Sequence, residues 1–156
     1  MTYFWILLIS VSLLSCKDVG YVNFLTDKIN ENFQEEIASI DAFVILPGQG
    51  CMGCISEGEQ FLIDNYKKLS TVKFVLTKIV SKKILRQKIG GEVYGADNVF
   101  IDSLNIFTTM DFQESIYPTI LYLDSGKILK IEYQSPNDPY AIYRLFPNIS
   151  TPDVFR

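Results

Sequence analysis

Two apolar, β-rich runs, Ala42–Leu46 and Val72–Val80, are separated by a stretch whose apolar residues return at helical spacing, and this alternation most constrains the fold. Pro47-Gly48 stops the first run, and Ile55, Phe61, Leu62, Tyr66 and Leu69 follow at steps that predict a helix over about 54–69. The second run, VKFVLTKIV, directs Phe74, Leu76 and Val75 inward and leads into a short helix over 81–89, ended by Gly90-Gly91. Residues 91–97 read as a connection, and 99–102 as a short strand. Residues 119–123 and 127–133 form a hairpin across Asp124-Ser125-Gly126, and a helix over 140–146 follows Asp138-Pro139. Upstream, Leu25, Ile29, Phe33, Ile37 and Ile40 mark an amphipathic helix over 24–40. Strands alternating with helices imply a mostly parallel central sheet, and the closing hairpin adds an antiparallel edge. The fold class is α/β: a central mixed sheet flanked by helices, with a C-terminal hairpin and helix.

The chain, 156 residues long, suits one domain with a real core. With 48% hydrophobic and 21% charged residues it is globular rather than disordered. Its net charge of −4 lacks the broad basic surface of a nucleic-acid binder; Lys82, Lys83, Arg86 and Lys88 cluster, and read as a solvated helix face.

Between the first strand and its helix lies PGQGCMGC, which places Cys51 and Cys54 at the start of the helix. A zinc site needs four ligands, and the chain has no histidine and no second cysteine pair, so no metal is expected. Haem attachment asks for a histidine after the second cysteine, and residue 55 is Ile. A structural disulfide would close a very small loop and gain little. A redox pair explains the placement best. Unpaired N–H groups and the helix dipole favour a thiolate at the helix start, and the spacing puts both sulfurs on one face. Gly48, Gly50 and Gly53 leave room for a partner, whereas Glu57 and Glu59 would oppose a thiolate if they faced it. The peroxiredoxin pattern around the nucleophile is absent, and no histidine is present to complete a copper site.

The first fifteen residues, MTYFWILLISVSLLS, are uncharged and apolar but shorter than the roughly 20 residues of a membrane span. With Cys16 next, Leu13-Leu14-Ser15-Cys16 resembles the lipobox of bacterial lipoproteins. That resemblance implies a signal peptide over 1–15, lipid on Cys16, and a tether over 16–23 leading to a domain over 24–150. It also implies an extracytoplasmic, membrane-anchored protein of the bacterial envelope, or periplasm, where disulfides persist.

AFVILPGQGCMGC followed by a helix, together with Ile116-Tyr117-Pro118-Thr119 before the strand ILYLD, resembles the thioredoxin-like family. The resemblance covers about 42–146. It implies a thioredoxin-like fold and a thiol–disulfide oxidoreductase without a cofactor, whose partners are protein dithiols or disulfides. In it Cys51 attacks and Cys54 resolves. Met52, Gly53, Tyr117 and Pro118 line the substrate groove, with Tyr117 beside the reactive sulfur and a cis bond before Pro118. The chain departs from thioredoxins proper: Gly50 replaces their Trp, the strand FVIL lacks their buried Asp, and Met52-Gly53 replaces their Gly-Pro. The alternative, from another class, is a non-catalytic lipoprotein of the same fold that binds a partner and keeps the disulfide as a staple.

Overall fold

The computed structural model describes residues 17–146. The signal peptide, Cys16 and the last residues of the expected domain lie outside them. Within the described residues no helix is long and apolar enough to cross a membrane.

Helix α1 spans Lys17–Phe33. The expected tether is therefore helical from Lys17 onward, because Tyr21 extends the stripe of Leu25, Ile29 and Phe33 back by one turn, and all four are buried. Gly20 obscures this in the sequence, since glycine disfavours helix. Here its bare backbone lets the Phe112 ring approach: a Cβ at residue 20 would stand 2.8 Å from Phe112 Cε1. At its other end α1 stops at Phe33, short of Ile40, and Ile37–Ser39 form a separate 3-10 turn.

Strands β1 (Ala42–Pro47), β2 (Val72–Thr77), β3 (Val99–Ile101), β4 (Thr119–Asp124) and β5 (Lys127–Tyr133) make one mixed sheet of order β3-β2-β1-β4-β5. The first three are parallel; β4 runs antiparallel to β1, and β5 to β4. Central β1 is buried at every position, which is why its sequence is an unbroken apolar run rather than an alternation. Phe43 and Ile45 face α1 with Val75, Leu121 and Phe107. Val44 and Leu46 face the other layer with Phe61, Leu62, Phe74, Leu76 and Ile120.

That second layer holds α2 (Met52–Asn65), α3 (Lys82–Ile89) and α4 (Gly91–Tyr94). The segment read as a plain connection after Gly90 thus begins with a turn of helix. Gly90, at φ 87°, breaks α3 from α4. Strand β2 ends at Thr77 rather than Val80, because Lys78 turns into the left-handed region at φ 52°. The closing helix is a 3-10 turn, Ala141–Leu145, against the same layer. The architecture is a five-stranded mixed sheet between helical layers.

Candidate functional site

The Cys pair sits where β1 ends and α2 begins. Cys51 is the N-cap of α2, in extended conformation and half-buried, and its side chain makes no capping hydrogen bond. Cys54 lies in the first turn and is 7% exposed. A disulfide joins them, with the two Cα atoms 5.4 Å apart. Of the two residues, Cys51 is thus the more exposed.

Close backbone packing holds the turn that carries them. Gly48 N–H donates to the Thr77 carbonyl at 2.7 Å, and Cys51 N–H donates to the Ile116 carbonyl at 3.1 Å. A Cβ at residue 48 would stand 2.6 Å from the Lys78 carbonyl oxygen. Gly50 has φ +146°, and a Cβ there would stand 2.3 Å from the Ile116 carbonyl oxygen. Only glycine fits at residue 50, for conformation and for space. Gly53, by contrast, faces open space, and Met52 is 67% exposed, so the dipeptide between the cysteines forms a bare rim.

The segment before β4 docks against this turn. Ile116 contacts Cys51 directly, and Tyr117 and Pro118 follow it. Pro118 is buried against Gly58, four residues beyond Cys54 on α2, with its Cγ 3.5 Å from where a Cβ would stand. The segment before β4 thus reaches the cysteine turn through Ile116, while Pro118 itself packs on α2 at Gly58. The cis bond expected before Pro118 is not found: no peptide bond among the described residues is cis. Tyr117 is extended at ψ 148°, the conformation that proline imposes on its predecessor, and trans is the lower-energy form of such a bond.

Both acidic residues flanking the pair have partners elsewhere in the fold. Glu57 accepts a hydrogen bond from Gln134 Nε2 at 2.8 Å. Glu59 is buried, with its carboxylate ion-paired to Lys88.

No family model, curated protein or solved structure matches the chain.

Two residues that the sequence left unmarked help to build it. The Lys78 ammonium donates to the Ser115 carbonyl at 3.1 Å, next to the residue whose carbonyl holds Cys51, and burial pushes its pKa down. Gln134, 1% exposed, receives Ile142 N–H on its Oε1 and ties the closing turn to α2 through Glu57. Both gain their meaning from partners distant in sequence, so no local pattern marks them. Asp102 is likewise buried, but its carboxylate accepts from Thr77 Oγ1, Ile106 N–H and Phe107 N–H at 2.7, 3.0 and 2.9 Å. These bonds tie the loop after β3 to the end of β2. Among the described residues no group of three or more acidic, cysteine or histidine side chains could hold a metal ion.

Proposed function

We propose that the protein is a thioredoxin-like thiol–disulfide oxidoreductase. The observation that carries this reading is the asymmetric disulfide at the N-terminus of α2, with Cys51 reaching solvent and Cys54 buried one turn in. In the reduced form, the N–H groups and dipole of the first turn favour a Cys51 thiolate. That thiolate attacks one sulfur of a partner disulfide, forming a mixed disulfide and releasing the partner's other sulfur as a thiolate. Cys54 then gives up its proton and attacks the Cys51 sulfur, restoring the Cys51–Cys54 bond and releasing the partner's second thiolate. Two electrons pass from the pair to the partner, and a second dithiol must return them. The lipobox-like Leu13–Cys16 supports a lipid anchor on the outer side of a bacterial membrane, so the partners would be extracytoplasmic proteins.

The trans bond before Pro118 departs from the family pattern and favours a second reading, a binding module stapled by an inert disulfide. Trapping separates the two. With Cys54→Ser, cells should accumulate mixed disulfides through Cys51, and Cys51→Ser should abolish both capture and reduction of insulin. In the reduced protein an alkylating reagent should label Cys51 well before Cys54. Equal labelling with no captured partner would leave the stapled module as the better account. Cys16→Ala should abolish incorporation of a fatty-acid label; unchanged labelling would remove the anchor.

A further inference from the structure

At the end of the sheet that carries the cysteine turn, the surface around α3 is both apolar and basic. A cleft of about 200 Å³ opens between the β1–α2 turn and α3, with Pro47 and Gly48 on one side, Val80, Ile84 and Leu85 on the other, and the Glu59–Lys88 ion pair also lining it. Val80 is 76% exposed and Ile84 64%, so the cleft, which reaches Gly48 three residues before Cys51, offers uncovered apolar surface.

The same helix carries a concentration of positive charge. Four of its eight residues are cations. Two are engaged: Lys88 pairs with buried Glu59, and Arg86 lies over the Tyr94 ring, 5.9 Å from its centroid. Lys82 and Lys83 are exposed and have no carboxylate partner among the described residues. They occupy the first turn of α3, which holds no acidic residue, although a helix dipole disfavours cations there. The chain's net charge is −4, yet no carboxylate among the described residues pairs with either lysine.

We propose that this face docks an extended, acidic segment of the disulfide-bearing partner, seating an apolar side chain in the cleft while flanking carboxylates meet Lys82 and Lys83. The link to Cys51 rests on the oxidoreductase reading; the docking surface adds the class of partner. Apolar anchors supply affinity in such interfaces, and rim charges act mainly on encounter rate and choice of partner.

The test uses two synthetic peptides of one design, each with an internal disulfide and a central Leu, flanked in one by Glu and in the other by Lys. The reduced protein should reduce the acidic peptide on the order of tenfold faster than the basic one at low salt. Raising the ionic strength from about 0.01 M to about 0.15 M shortens the screening length from about 30 Å to about 8 Å and should remove most of that advantage. The double variant Lys82→Glu, Lys83→Glu should reverse the preference, and Ile84→Ser should slow both peptides. Uncharged hydroxyethyl disulfide should be reduced equally by every form. Failure with that reagent in the native protein would sink the oxidoreductase reading. Cysteine-free versions of the peptides, followed by fluorescence anisotropy, test the docking face whatever the redox result. Equal affinity for the two overturns the proposal, as does binding of anionic lipid vesicles with no binding of the acidic peptide.

Discussion

At the scale of single residues, glycines that look alike in the sequence do different work. PGQGCMGC reads as three interchangeable glycines that keep the cysteines accessible. In the structure Gly50 combines a positive φ with backbone pressed against its α-carbon, whereas Gly53 sits in the first turn of α2 with nothing nearby. Gly50→Ala should therefore destabilise the fold by more than about 1 kcal/mol, because the carbonyl of Ile116 cannot retreat without losing its bond to Cys51. Gly53→Ala should instead leave stability unchanged or raise it by up to about 1 kcal/mol through helix propensity. Urea unfolding of the two variants reads the contrast directly; equal losses would mean that the turn is not held as described. The cysteine pair and its place at a helix start are legible from spacing alone. Lys78 was not, since a lysine inside VKFVLTKIV reads as an outward strand position until the turn at Thr77 is seen.

At the scale of elements, type and order follow from hydrophobic period, while boundaries follow from contacts that the period does not encode. The stripe over 24–40 marks α1 correctly as a helix, but its true first turn hides behind Gly20, whose reason is the ring of Phe112. Because Leu25 lies wholly buried where α1 packs on the sheet, Leu25→Ala should cost about 2–5 kcal/mol, the range for a fully buried leucine. A chain starting at residue 24 should likewise lose stability with Tyr21, as it would not if 17–23 were a tether. The closing turn is held differently. Arg144 donates from Nε to Glu132 at 3.1 Å and pairs with Asp138. Burial alone would raise the Glu132 pKa, but hydrogen bonds from Lys130, Arg144 and Tyr122 hold it below the ordinary carboxylate value. The Arg144 hydrogen bond does the same for Asp138. A depressed carboxylate contributes stability that is complete above its unfolded pKa and lost as the pH falls through its folded one. Stability should therefore fall between about pH 6 and about pH 3, and Arg144→Gln should lose less over that interval while starting lower. Urea midpoints at the two pH values check the sign; parallel losses in both proteins would place the acid sensitivity elsewhere.

At the scale of the whole molecule, the sequence indicates a parallel core and an antiparallel hairpin, but not that β1 is central or that β4 returns to pair with it. That pairing brings the segment before Pro118 onto the cysteine turn, and the sequence suggests it only through resemblance. The finished architecture also bears on whether the disulfide is a catalyst or a staple, through a thermodynamic cycle. The difference in folding stability between oxidised and reduced protein equals the difference in disulfide stability between folded and unfolded chain. Cys51 and Cys54 are three positions apart at one end of one helix, and neither packed cluster of the core includes them. Their bond ties no element to another, because the Ile116 carbonyl already holds Cys51 through its backbone. Closing so short a loop is worth about 2 kcal/mol on the chain-entropy account. At 30 mV for each 1.4 kcal/mol, folding should then shift the potential of the pair by no more than about 40 mV. With the pair so close to the potential of an unconstrained dithiol, we expect it to remain reducible, above the roughly −300 mV below which structural disulfides lie. Equilibration against glutathione buffers gives the potential, and urea unfolding of the oxidised and reduced forms gives the other side of the cycle. A potential below about −300 mV, together with a reduced form that unfolds far more easily, would make the bond a staple and the protein a binding module.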